Sequence, residues 1–171
     1  MGLASLRERG IRSTLGAQVI ILLLGTCTGV MSARLLGPQG RGELAATTLW
    51  PSTLLLLGSM GLNQSIVFHT GKRLFAASEI WTASVFLAAI QSACIIAAGM
   101  VVLPLVLRSY PRVVQNSALA LLLSAPIMLF SGCAGSLLQG RQRLAFFNAT
   151  RTGTPLVYAL ALGLLIFLRK P

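Results

Sequence analysis

Two long apolar runs of this chain are separated by the stretch Ala33-Arg34-Leu35-Leu36-Gly37-Pro38-Gln39-Gly40-Arg41-Gly42-Glu43. Three glycines and one proline fall within residues 37–42, a composition that favours a turn over a regular element. Two arginines and a glutamate lie in the same short segment. We therefore expect a tight turn at the polar tip of a hairpin made by two membrane-length helices.

The composition of the 171 residues is that of a membrane protein. Hydrophobic residues make up 55% of the chain and the mean hydropathy is +0.81. Charged residues make up only 10%, against about 25% in an average soluble domain. The net charge of +11 comes from basic residues that cluster between apolar runs, which fits loops facing anionic lipid head groups. A nucleic-acid partner is not expected, since no soluble basic face remains outside these runs.

The apolar runs predict an all-α fold, a polytopic membrane bundle with about five transmembrane helices. Each run is near or above the roughly 20 residues that cross about 30 Å of hydrocarbon. The predicted spans cover residues 14–36, 44–68, 79–107, 117–138 and 152–168. Residues 1–13 form a separate basic head, whose arginines favour a cytoplasmic amino terminus. Residues 14–171 then make one five-span domain.

Small and polar residues predict which helix faces pack inside the protein. In the third span, one face carries Ser84, Ala88, Gln91, Ser92, Ile95 and Gly99. In the fourth span, a seam of helix contact is predicted at Ser117, Leu121, Ser124, Met128, Ser131 and Gly135. Pro51 and Pro126 predict kinks. Glycines at both ends of residues 58–61 weaken the second span near its end.

The chain offers little catalytic chemistry. Its three carboxylates, Glu8, Glu43 and Glu79, do not pair at a catalytic spacing. The single histidine, His69, is assigned to a short basic loop over residues 69–73. The three cysteines show neither metal nor redox spacing. We therefore expect a protein that is not an enzyme and that uses no metal and no cofactor.

Three ordered stretches, spread from residue 33 to residue 151, together carry a family resemblance that covers nearly the whole chain. They are residues 33–44 after the first span, residues 61–71 at the end of the second, and residues 138–151 between the fourth and fifth. In this order and spacing they resemble bacterial polysaccharide-biosynthesis membrane proteins. These are the lipid-linked oligosaccharide flippases of the multidrug/oligosaccharidyl-lipid/polysaccharide exporter superfamily. Asn63 stands where that family often has a proline.

The resemblance implies two helical lobes around a central cavity that opens alternately to either side of the bacterial plasma (inner) membrane. Such a protein moves a polyprenyl-pyrophosphate-linked oligosaccharide in polysaccharide biosynthesis. With only five predicted spans, this chain corresponds to the amino-terminal part of one transporter. Its implied partners are the lipid bilayer, the lipid-linked sugar and the missing carboxy-terminal helices.

The implied substrate assigns roles to a few side chains. Guanidinium groups suit bidentate contact with phosphate oxygens, so Arg34 and Arg41 are expected at the pyrophosphate. For either arginine, snorkelling to the interface is the alternative role. Contact with the sugar hydroxyls is expected from Gln18, Asn63, Gln64 and Gln91.

Two other functions stay open at this point. A drug or cation antiporter of the same superfamily would need a membrane-embedded carboxylate, and none lies deep in a predicted span. A small structural or assembly membrane protein, complete at 171 residues, is the alternative from a different class. Coding sequence downstream of Pro171 would distinguish it from the front part of a transporter.

Overall fold

The computed structural model describes the backbone of residues 2–73 and 75–168, and the side chains of residues 14–73, 75–164 and 167–168. These described residues form six helices and no strand: α1 (Gly2–Gly58), α2 (Leu62–Lys72), α3 (Ala77–Val106), α4 (Arg112–Leu123), α5 (Ala125–Gly140) and α6 (Leu144–Leu168). The predicted all-α class is confirmed. In an apolar segment that is removed from water, helical hydrogen bonds satisfy the polar groups of the backbone. The side chains of the predicted basic head, residues 1–13, lie outside the described residues.

Two described helices are long and apolar enough to cross a membrane. They are residues Thr14–Gly58 of α1, which contain an 18-residue stretch of mean hydropathy 2.0, and α3, which contains one of mean hydropathy 2.3. Helices α4 and α5 meet at a 41° bend and would make a third if they form one span. The bend lies beside Pro126, in the first turn of α5, so the predicted kink is confirmed. The described helices thus supply two or three candidate spans, fewer than the five predicted.

The predicted turn over residues 37–42 is wrong in its extent. Helix α1 continues through this segment, and only Gly37 leaves helical geometry, with φ 67° and ψ −177°. Pro38 then stands at the first position of the second helical stretch, where its fixed φ fits and its missing N–H costs nothing. The glycines at 40 and 42 keep helical torsion angles. One glycine therefore makes the whole break.

The weak point predicted over residues 58–61 is confirmed as a true break. Helix α1 ends at Gly58, and α2 begins at Leu62 after Met60 (φ 43°) and Gly61 (φ 73°). The predicted second span, residues 44–68, is therefore two helices. The loop predicted over residues 69–73 is wrong, because α2 continues to Lys72. His69 and Lys72 lie in its last turn, where cationic side chains complement the helix dipole.

The chain divides into two compact units, Met1–Arg41 with Gln142–Pro171, and Gly42–Arg141. In the second unit, α2 and α5 run parallel: Asn63 lies against Gly132, and Thr70 against Gly140. Helices α3 and α4 run antiparallel, since Gly99 meets Leu122 and the Gln115 side chain reaches Leu107. The α3–α4 connection therefore reverses the direction of the chain, whereas the bend between α4 and α5 does not.

The core of the unit Gly42–Arg141 gathers buried residues from α2, α3, α4 and α5, together with Ala46 of α1. Its most completely buried large side chains include Leu103, Leu107, Leu122 and Cys133. The predicted face of α3 is confirmed: the buried positions of that helix are Ser84, Ala88, Ser92, Ile95, Gly99 and Leu103.

The seam predicted in the fourth span is wrong. Ser117 and Ser131 are exposed, whereas α4 and α5 bury the face carrying Ala118, Leu122 and Cys133. Leu122 and Leu129 lie in this buried face together with the smaller Ala118 and Cys133, whereas Gly132 and Gly140 of α5 lie against α2. Residue size along the helix does not indicate which of these two faces meets a partner helix.

The unit Met1–Arg41 with Gln142–Pro171 contains the first stretch of α1 and helix α6. The Asn148 amide donates a hydrogen bond to the Thr14 hydroxyl at 3.4 Å. Further along both helices, the methyl end of Met31 lies beside Gly163. The two helices therefore run parallel. Helix α6 begins at Leu144, eight residues before the predicted fifth span, and Pro155 lies in its interior.

Candidate functional site

A cavity of about 280 Å³ lies between α2 and α3, and we call it the α2–α3 cavity. It belongs entirely to the unit Gly42–Arg141. Most of its wall is apolar, from Leu62, Ile66, Phe75, Ile80, Ala83 and Leu87. Its polar wall residues are Ser65, His69, Glu79 and Ser84. An apolar pocket with a few convergent polar groups is the usual form of a small-molecule site.

Glu79 supplies the negative charge of this cavity. It lies in the first turn of α3, and its Oε2 accepts a hydrogen bond from the Ala76 backbone N–H at 3.2 Å. Ala76 has no side-chain oxygen, so this is only the glutamate half of a capping box. The Oε1 atom accepts no hydrogen bond from the described residues. Because Glu79 is exposed at the open end of the cavity, its carboxylate remains accessible.

The ring of His69 lines the same cavity. Its ring contacts Phe68 edge-on with centroids 5.4 Å apart, and Phe75 at 5.9 Å. Its Nδ1 is buried and finds no hydrogen-bond partner among the described residues. Leaving a buried polar atom unpaired costs about 1–3 kcal/mol, so this nitrogen suits a ligand that restores the hydrogen bond.

Sequence reasoning missed this site because it placed His69 in a loop. The connection between α2 and α3 is short, so the last turn of one helix lies beside the first turn of the next. His69 and Glu79 therefore line one cavity although ten positions separate them. A signal was present in the sequence: the only histidine begins the predicted loop 69–73, and Glu79 begins the next predicted span.

The predicted sugar contacts in the unit Gly42–Arg141 do not form one cluster with this cavity. Asn63 is half-buried against Gly132 of α5, and Gln64 is exposed. Gln91 is half-buried, and its Nε2 donates to the Ser59 carbonyl at 3.4 Å. Its Oε1 is buried without a partner among the described residues. Gln91 therefore lies at the break between α1 and α2.

The other predicted contacts belong to the unit that contains the first stretch of α1. Arg34 and Arg41 flank the break at Gly37, one helical turn to either side, and both side chains are exposed. Neither guanidinium forms a hydrogen bond or ion pair with a described residue. Gln18 is exposed as well. These side chains are accessible to a ligand, to lipid head groups or to water.

Comparison with known proteins finds no match. No protein-family model matches the chain, and neither does a curated protein or a solved structure. The likeness to the flippases therefore depends on three ordered stretches of sequence and stays a prediction.

Proposed function

We propose that the chain is the amino-terminal helical part of a membrane transporter that moves a polyprenyl-pyrophosphate-linked oligosaccharide across the bacterial inner membrane. The proposal includes five crossings with the amino terminus in the cytoplasm. The other parts of the transporter would be helices beyond this chain. An enzymatic role is not proposed, because transport requires binding and a change of access without chemistry on the substrate.

The observation that carries the proposal is the meeting of two of the three resembling stretches. Thr70, in the stretch 61–71, lies against Gly140, in the stretch 138–151. A β-carbon at Gly140 would come within 2.6 Å of Thr70 Cβ and 3.1 Å of the Val67 carbonyl oxygen. Stretches that resemble a family in sequence and also pack together support a shared structural role.

Helix directions support five crossings. The break at Gly37 divides Thr14–Gly58 into two helical stretches, residues 14–36 and 38–58. At 1.5 Å per residue these stretches are about 34 and 32 Å long, so each is long enough for the roughly 30 Å hydrocarbon core. The first stretch of α1 runs parallel to α6, as a first and a fifth crossing must. Likewise α2 runs parallel to α5, as a second and a fourth crossing must.

The proposed pyrophosphate contacts are Arg34 and Arg41. Both are exposed, and neither makes an ion pair with a described residue, so their donors remain available to an anion. A guanidinium presents paired N–H groups to phosphate oxygens, whereas simple snorkelling would require no ligand. Binding of a polyprenyl phosphate distinguishes these two roles.

The experiment measures binding of an anionic polyprenyl phosphate to the purified chain in lipid nanodiscs. Arg34→Ala and Arg41→Ala should each weaken binding roughly tenfold, because a charged hydrogen bond is lost. Arg108→Ala is the matched control, since Arg108 is an exposed arginine outside the three stretches. If both stretch variants bind as the parent chain does, the assigned contacts are wrong.

A further inference from the structure

Two side chains that line the α2–α3 cavity carry an acceptor atom that accepts no hydrogen bond from the described residues. One is Oε1 of Glu79, whose partner oxygen already accepts from Ala76. The other is Nδ1 of His69, which is buried without a partner among the described residues and which accepts when Nε2 carries the proton. The two side chains line one cavity and form no ion pair with each other. A single ligand that brings several donors would satisfy both.

The charge of the cavity favours a cationic ligand. Glu79 is the only charged residue of its described wall. The nearby Lys72 does not neutralise it: its Nζ lies 4.2 Å above the ring of Phe68, which is not a wall residue. Phe75 adds an aromatic ring to the wall, and such rings attract cations through their electron-rich faces.

A metal ion does not fit these groups. Among the side chains of residues 14–73, 75–164 and 167–168, no three from His, Cys, Asp or Glu come together to hold one. The wall is mainly apolar, so it suits the carbon atoms of an organic ligand better than a hydrated metal ion. A primary ammonium group carries three N–H donors and one positive charge. An apolar body attached to it would lie against Leu62, Ile66 and Ile80.

We propose that the α2–α3 cavity binds the protonated primary amine of an amphiphile. The ammonium group donates hydrogen bonds to Glu79 and to Nδ1 of His69, and the attached carbon chain lies against the apolar wall. A cavity of about 280 Å³ holds a head group or a small amine, but not a whole phospholipid. The amine can come from phosphatidylethanolamine in the bilayer or from a free amphiphilic amine. This site is independent of the transport function proposed above.

The first arm of the test asks whether the amine comes from a lipid. The delipidated full chain in a non-ionic detergent is mixed with equal amounts of phosphatidylethanolamine, phosphatidylcholine and phosphatidylglycerol that carry identical acyl chains. Native mass spectrometry then reports which lipid is retained. Phosphatidylethanolamine should be retained roughly tenfold better, since only its ammonium group donates charged hydrogen bonds.

The second arm of the test asks whether a free amine binds. It measures binding of decylamine against decanol by calorimetry, and decylamine alone should bind.

The variants test the two acceptors. Glu79→Gln removes the charge but keeps an oxygen that can cap α3, so the fold is retained while amine binding falls roughly tenfold. His69→Phe keeps the aromatic packing with Phe68 and Phe75 and removes Nδ1, and it should also weaken binding. Glu43→Gln is the matched control, because it makes the same charge change outside the cavity.

The outcomes separate clearly. Amine binding that depends on Glu79 supports the site in either arm, and the arm in which it occurs identifies the source. Three results overturn the proposal: best retention of phosphatidylglycerol, equal binding of decanol and decylamine, or undiminished amine binding by Glu79→Gln. Circular dichroism of each variant reports whether its helices are intact.

Discussion

At the scale of single residues, glycines set how closely the helices of the unit Gly42–Arg141 approach. A β-carbon at Gly99 would overlap the Leu122 side chain, and one at Gly58 would overlap Ile95. At Gly140 the obstacle includes backbone, since the Val67 carbonyl oxygen would lie 3.1 Å away. A side chain can rotate away, but a helix backbone moves only with its helix. Gly140 is therefore the least replaceable of these positions.

Replacing Gly140 by alanine should lower the free energy of unfolding by about 1–3 kcal/mol, because the added methyl group pushes α5 away from α2. The free energy is measured by sodium dodecyl sulfate titration of helicity in mixed micelles. Gly153→Ala is the control: its added methyl meets nothing within 4 Å, and the gain in helix propensity should stabilise by up to about 1 kcal/mol. Equal stability of the Gly140 variant and the parent chain would contradict the close contact.

At the scale of elements, the break between α1 and α2 is the most consequential feature. Met60 and Gly61 both have positive φ, and they divide one apolar segment into two helices. The Ser59 carbonyl, which lies in the break, accepts hydrogen bonds from the Leu62 N–H at 2.9 Å and from Gln91 Nε2 at 3.4 Å. Broken helices inside membranes persist where protein groups satisfy the freed backbone. Contacts within the unit Gly42–Arg141 therefore stabilise the break.

Gly61→Ala should destabilise the chain by about 1–2 kcal/mol, since a β-carbon at φ 73° clashes with its own backbone. Hydrogen exchange should speed up first at the amides of residues 59–66, where the break and the start of α2 lie. Gly42→Ala serves as control, because Gly42 has helical torsion angles and open space around it. Unchanged exchange in the Gly61 variant would show that the positive φ is not required.

At the scale of the whole molecule, the chain presents the surface of a membrane protein. Leu56, Leu105 and Val113 are 74%, 71% and 75% exposed, values that suit contact with lipid more than water. Two described helices are long and apolar enough to cross a bilayer, so a membrane location is supported. The number of crossings and their orientation belong to the proposal, and labelling can test both.

The proposed topology predicts which connections reach each side of the membrane. The three native cysteines are replaced by alanine, and single cysteines are then introduced as Gln39→Cys, Ala76→Cys, Ser109→Cys and Gln142→Cys. An impermeant maleimide should label positions 39 and 109 in intact cells, and positions 76 and 142 only after lysis. Labelling of position 76 in intact cells would mean that the orientation is the reverse of the proposed one. Labelling of positions 39 and 76 from the same side would mean that the chain does not cross the membrane between them.

The sequence by itself determined the all-α class, the buried face of α3, and the weak points at residues 58–61 and near Pro126. These follow from hydropathy, helical spacing and the backbone preferences of glycine and proline, which are local properties. Only the tertiary structure decided that residues 38–43 are helical, that the small-residue side of α5 faces α2, and that His69 and Glu79 line one cavity. Which side chains meet depends on the register and direction of neighbouring helices, and no local pattern encodes either.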